Sequence, residues 1–121
     1  MLLFYPQLAS SDDLNNKINL YLRDTHYIQS ADYITSIINH YLVDDVASDS
    51  AIIWSDTLRN LGEAKGDLEL VAKSDVLTGK YYLRIANDAE ALDYFYRALK
   101  YYKSVGNIDG EADIYIQIGL V

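Results

Sequence analysis

Apolar positions in the carboxy-terminal half of the chain recur at three- and four-residue steps. Ala91, Tyr94, Phe95, Ala98, Tyr102 and Val105 fall on one face of a helix. Asn87, with Glu90 three residues later, reads as a capping box that opens this helix. Gly106 fits its stop, because the residue past a helix end often takes a left-handed conformation that glycine adopts cheaply. The preceding segment has Asp67 as its cap and Ala72, Val76, Leu77, Tyr81 and Leu83 among its apolar residues; Gly66 closes the segment before that. No stretch alternates with period two beside hairpin signals. Thr25-His26-Tyr27 and Ile34-Thr35 are β-prone, but each sits inside a longer 3.6-residue pattern. The pattern predicts an all-α chain with helices over Ser11–Arg23, Thr25–Val43, Ser48–Lys65, Asp67–Ala86, Asp88–Val105 and Asp109–Leu120.

A repeat underlies the pattern. Ala91-Leu92-Asp93-Tyr94 falls on Ala51-Ile52-Ile53-Trp54, forty positions earlier. In the same register Gly106-Asn107-Ile108-Asp109 falls on Gly66-Asp67-Leu68-Glu69, Ala112 on Ala72, Ile116 on Val76 and Gly119 on Gly79. A weaker copy upstream places Tyr81-Tyr82-Leu83 on Tyr41-Leu42-Val43. Each unit reads as helix, short turn, helix. The organisation expected is one domain over residues 1–121: a divergent amino-terminal cap (1–30), a degenerate repeat (31–66), the best-formed repeat (67–106), and the first helix of a further repeat or a cap (107–121).

At Gly79, Tyr82, Ala91, Phe95 and Ala98 the sequence resembles the tetratricopeptide repeat. That family carries Gly and Tyr on its first helix, then Ala, an aromatic and Ala on its second, at these separations. The resemblance covers residues 33–121. It implies antiparallel helix pairs wound into a right-handed superhelix of about six helices, with the first helix of each pair lining an inner groove. The unit departs from the family in being forty residues long where the family has 34. Lys103 stands where the family has proline; upstream, Asn39 replaces the glycine and Ser55 the aromatic. The long variant is similar to repeats found in bacterial signalling regulators.

Composition narrows the chemistry. The 121 residues include ten Lys and Arg against eighteen Asp and Glu, a net charge of −8 that weighs against phosphate-rich nucleic acid. No segment approaches the roughly 18 consecutive apolar residues of a membrane span. The apolar Met1–Tyr5 is too short for a signal peptide and lacks its basic start and cleavage site; it reads as an end segment lying on the first helix. Without cysteine there are no disulfides or thiolate metal sites, and the compartment stays open. His26 and His40 are fourteen residues apart on one expected helix, too far to share an ion. Asp12-Asp13 and Asp44-Asp45 read as helix-end residues. Gly62 to Gly66 lacks the Gly-Lys-Ser/Thr ending of a phosphate loop, and no Gly-x-Ser-x-Gly turn occurs. The chain is expected to be no enzyme and to need no metal or cofactor.

The most pointed constellation is basic. Lys73, Lys80 and Arg84, at steps of seven and four, share one helical face. The resemblance puts that face on the inner groove, where cations suit a carboxylate or an acidic peptide segment. Tyr33, His40 and Asp113 are the corresponding candidates on matching helices. The alternative is an ordinary solvated face. The expected function is therefore a protein- or peptide-binding module, an adaptor or sensor segment of a signalling protein. A second reading is a structural domain that self-associates, as a homodimer, through its last helix. There Ile114, Ile116, Ile118 and Leu120 are expected to be partly bare. Twelve tyrosines are many for this length; among Tyr81, Tyr96 and Tyr101 some are expected to face outward.

Overall fold

The computed structural model describes the backbone of residues 9–43 and 49–121, and side chains over 26–43 and 49–121. The expected end segment Met1–Tyr5 and the pair Asp44-Asp45 lie outside the described residues, as do the side chains of Asp12-Asp13.

Turns set the architecture, and they recur every twenty residues, two to each forty-residue unit. Gly66, Ala86 and Gly106 take φ of 66°, 60° and 67°. Each left-handed residue is followed by an N-cap, Asp67, Asn87 or Asn107, whose side chain accepts a hydrogen bond from the backbone N–H three residues on, at 3.0, 3.3 and 2.9 Å. The cap's own N–H reaches back to the preceding helix: Asp67 donates to the Gly62 carbonyl, Asn87 to Tyr82 and Asn107 to Tyr102, at 2.8, 2.9 and 2.9 Å. This is a Schellman closure joined to an N-cap, so one three-residue corner satisfies the ends of two helices. Only half of the expected capping box at Asn87 forms, because the Asn87 N–H is already committed to Tyr82.

These corners separate α2 (Asp49–Lys65), α3 (Leu68–Arg84), α4 (Asp88–Ser104) and α5 (Ile108–Gly119). Ahead of them, α1 runs unbroken over Ala9–Val43. Two helices were expected there, with a break at Asp24. Neither Gly nor Pro occurs between Ala9 and Val43, and Thr25 alone does not interrupt the backbone ladder. Among the described residues the chain is thus all-α, with five helices and no strand. Each helix packs on its neighbour in sequence, and α1 also touches α3. Short corners make the successive helices α2 to α5 antiparallel.

Two apolar clusters fill the seams. In the first, Ala31, Ile38 and Leu42 of α1 meet Ala51 and Leu58 of α2 and Leu70, Leu77 and Tyr81 of α3. The second joins Ala72 of α3 to Ala91, Phe95, Ala98, Leu99 and Tyr102 of α4 and Ile114 of α5. Helix α3 serves both clusters with opposite flanks. Its Gly79 lies directly under Phe95: a Cβ there would sit 2.5 Å from the ring. Gly110 receives Tyr102 in the same way, again at 2.5 Å. Polar ties cross the seams as well. Tyr27 donates to the Asp67 carboxylate at 2.8 Å, Tyr81 to Asp49 at 2.9 Å, and Arg59 pairs with the buried Asp75. Tyr81 is therefore a core residue, while Tyr96 is the tyrosine of its group that faces outward.

Candidate functional site

Because α1, α3 and α5 alternate with α2 and α4, their free flanks meet in one groove. Its main cavity encloses about 390 Å³. Thr35 enters from α1, Lys73, Val76, Leu77 and Lys80 from α3, and Gly110, Asp113, Ile114, Ile116 and Gln117 from α5. Tyr102 of α4 comes up from beneath. Lys73 also borders a smaller hollow of about 140 Å³ between α1 and α3, lined by Tyr27, Asp32 and Leu70 among others. The groove thus has an apolar floor with two lysines, one aspartate, the hydroxyl-bearing Thr35 and Tyr102, and one amide around it.

The lysines differ. The Lys73 ammonium lies 3.4 Å from Glu69 one turn earlier, an exposed pair of little energetic weight. Lys80 is half-buried, and no carboxylate among the described residues lies within ion-pair distance of it. It is the cation with an open valence at the cavity. Burial pushes the Tyr102 hydroxyl above its ordinary range, helped by Glu69, Tyr101 and Asp113 nearby. That hydroxyl stays protonated and can donate to a ligand oxygen.

Of the six candidate groove residues, the structure brings Lys73, Lys80 and Asp113 to one cavity. Arg84 is exposed and lies beyond its lining. Tyr33 is 70% exposed on the solvent side of α1. His40 lines a separate cleft between α1 and α2 with Ile37, Tyr41 and Trp54. The forty-residue register carried Tyr33 and His40 onto Lys73 and Lys80, but α1 presents a different flank. It turns Ala31, Ile38 and Leu42 into the first core, which leaves Thr35 toward the groove. Thr35, Tyr102 and Gln117 were not singled out from the sequence; only knowledge of which flank each helix buries could have found them.

The last helix divides similarly. Ile114 is 1% exposed, sealed in the α4–α5 seam rather than bare. Ile118 is half-buried against the same cluster. Ile116 and Leu120 are open, at 61% and 65%. Tyr115, another open residue, stands beside Lys103, whose ammonium lies 5.8 Å from the ring centre. No group of acidic or histidine side chains that could hold a metal occurs among the described residues, and no described helix is long and apolar enough to cross a membrane. Compared with known proteins, the chain matches no family model, no curated protein and no solved structure.

Proposed function

We propose that this chain is a non-enzymatic, tetratricopeptide-like adaptor module that holds a peptide or protein segment bearing a carboxylate beside an apolar side chain. One observation carries the reading: an open cavity of about 390 Å³ that sets Lys80, without an ion partner among the described residues, above Val76, Leu77, Ile114 and Ile116. An apolar hollow with a few polar groups around it is the usual form of a ligand site. A carboxylate would take Lys80, with Lys73 close by, while an adjoining apolar side chain would leave water against the floor. Gln117, Thr35 and the Tyr102 hydroxyl offer hydrogen bonds to the peptide backbone. Asp113 sets a direction, since it favours an amide or ammonium at its end of the groove.

The test is selection from a displayed peptide library with the intact chain as bait. Sequences pairing Asp or Glu with a bulky apolar residue are expected to be enriched. Their affinity should fall at least tenfold in Lys80→Glu, less in Lys73→Glu, and least in Arg84→Glu. Enrichment that ignores both groove lysines would sink the proposal.

A further inference from the structure

Helix α3 buries one charge between its two outer neighbours, α2 and α4. Asp75 lies off the groove lining and is only 5% exposed. From α2, Arg59 pairs with its carboxylate and also with the surface Glu63 at 3.0 Å. From α4, the Arg97 guanidinium attracts the same charge through space, opposed by the Asp93 carboxylate that holds Arg97 at 2.7 Å. One buried carboxylate thus draws on both outer helices. We infer that Asp75 is a proton-operated brace between them. As an anion it holds α2 in against α3 and toward α4. As a neutral acid it lets the α1–α2 pair turn outward, which brings α1 toward α5 and narrows the groove on the opposite side.

A buried charge with one direct partner is held at a cost, and neutralisation relieves it. Burial raises the Asp75 carboxyl above its ordinary range, and the pull of Arg59 and Arg97 offsets only part of that. The folded chain therefore takes up this proton at a higher pH than the unfolded chain does. Its arrival removes the ion pair and the attraction on Arg97 together, while Glu63 and Asp93 still hold each arginine at the surface. A second polar tie across the α2–α3 seam does not involve Asp75. The Tyr81 hydroxyl donates to Asp49 at the start of α2, ten residues and about 15 Å along the helix from Arg59. That bond is the pivot, and the Arg59 end is the end that moves. A shift of roughly 1–2 Å between packed helices is small enough to keep Leu58, beside Arg59, covered.

The chain has no cysteine, so nitroxide labels attach only where one is introduced. Asn60 on α2 and Lys100 on α4 are exposed, share the forty-residue register and stand outside the charge cluster. In the whole chain carrying Asn60→Cys and Lys100→Cys, pulsed electron resonance should show the label distance lengthening by roughly 2 Å between about pH 7.5 and about pH 5. A second pair across the groove, Asp32→Cys on α1 and Asp113→Cys on α5, should shorten over the same range. Asp75→Asn keeps the shape without the charge, so both pairs should hold their acid distances at either pH. Burial penalises only the charge, so this variant should fold, which its circular-dichroism melt checks. Arg59→Gln, made as a second variant, should give the long outer distance at neutral pH with the Asp75 carboxyl still present. The inference is overturned by an outer distance that does not move in the wild type, or by a groove distance that fails to shorten. It is overturned equally if Asp75→Asn keeps the neutral distances or still responds to pH, or if Arg59→Gln keeps the short outer distance.

Discussion

Helices α3 and α5 share a register, a glycine and an apolar stripe, yet they live in different surroundings. Gly79 is buried beneath a phenylalanine ring, whereas Gly119 faces open space. Val76 is half-buried between the groove and α4, whereas Ile116 is mostly bare. The pattern of a helix states which positions are able to be covered. Whether they are covered depends on the neighbour, and the neighbour is not written in the same stretch of sequence.

Substitution at the two glycines separates the helices most sharply. Gly79→Ala drives a methyl into Phe95, which is fully buried and cannot swing aside, so it should cost about 2–3 kcal/mol. Gly119→Ala should cost nothing and can gain a few tenths of a kcal/mol, roughly, from helix propensity. Equal urea midpoints for the two variants would refute the contrast.

The corners give a smaller contrast of the same kind. Gly106→Ala has room for its methyl but must hold it at φ 67°, a penalty of about 1 kcal/mol. Ala86 already bears that strain at φ 60°, so Ala86→Gly should be neutral or stabilising by up to about 1 kcal/mol. Thermal melts of the two variants should therefore shift in opposite directions, or Ala86→Gly should not shift at all.

The smallest effect is one of pH. Tyr81 is held above its ordinary range by its hydrogen bond to Asp49 and by burial, and Tyr82 and Tyr102 chiefly by burial. A tyrosine raised in the fold keeps its full contribution below the unfolded value of about 10 and loses it as pH climbs toward the folded value. Urea midpoints should thus decline from pH 9 upward. The decline should be shallower in Tyr81→Phe, at the α2–α3 seam, and in Tyr102→Phe, at the α4–α5 seam. Identical slopes in all three proteins would contradict this.

Much of the fold was legible because its signals are local. Asp67, Asn87 and Gly106 mark their corners in the letters themselves, and the apolar steps of α4 name its buried face. What stayed hidden at the middle corner was its left-handed residue, because Ala86, which no rule marks for that conformation, stands where Gly66 and Gly106 stand. The join within α1 was misread: a break was expected at Asp24, where neither Gly nor Pro is present to end a helix. At the groove, Lys73, Lys80 and Asp113 could be found, because helical spacing and register place them. Thr35 and Tyr102 could not, because their exposure to the cavity depends on how α1 leans and how α4 lies under α5. Tyr81 shows the same limit: its neighbour Tyr82 is also apolar in part, and only the packing decides which ring goes in deeper.

The twenty-residue corner has a consequence for how such a chain can grow or shrink. Gaining or losing one corner-and-helix unit would exchange the two sides of the stack, so groove-lining helices would become outer ones. Gaining or losing two restores the sides and leaves every later lysine facing as before. Heritable changes in length should therefore be tolerated in steps of forty residues, even though the backbone itself counts in twenties.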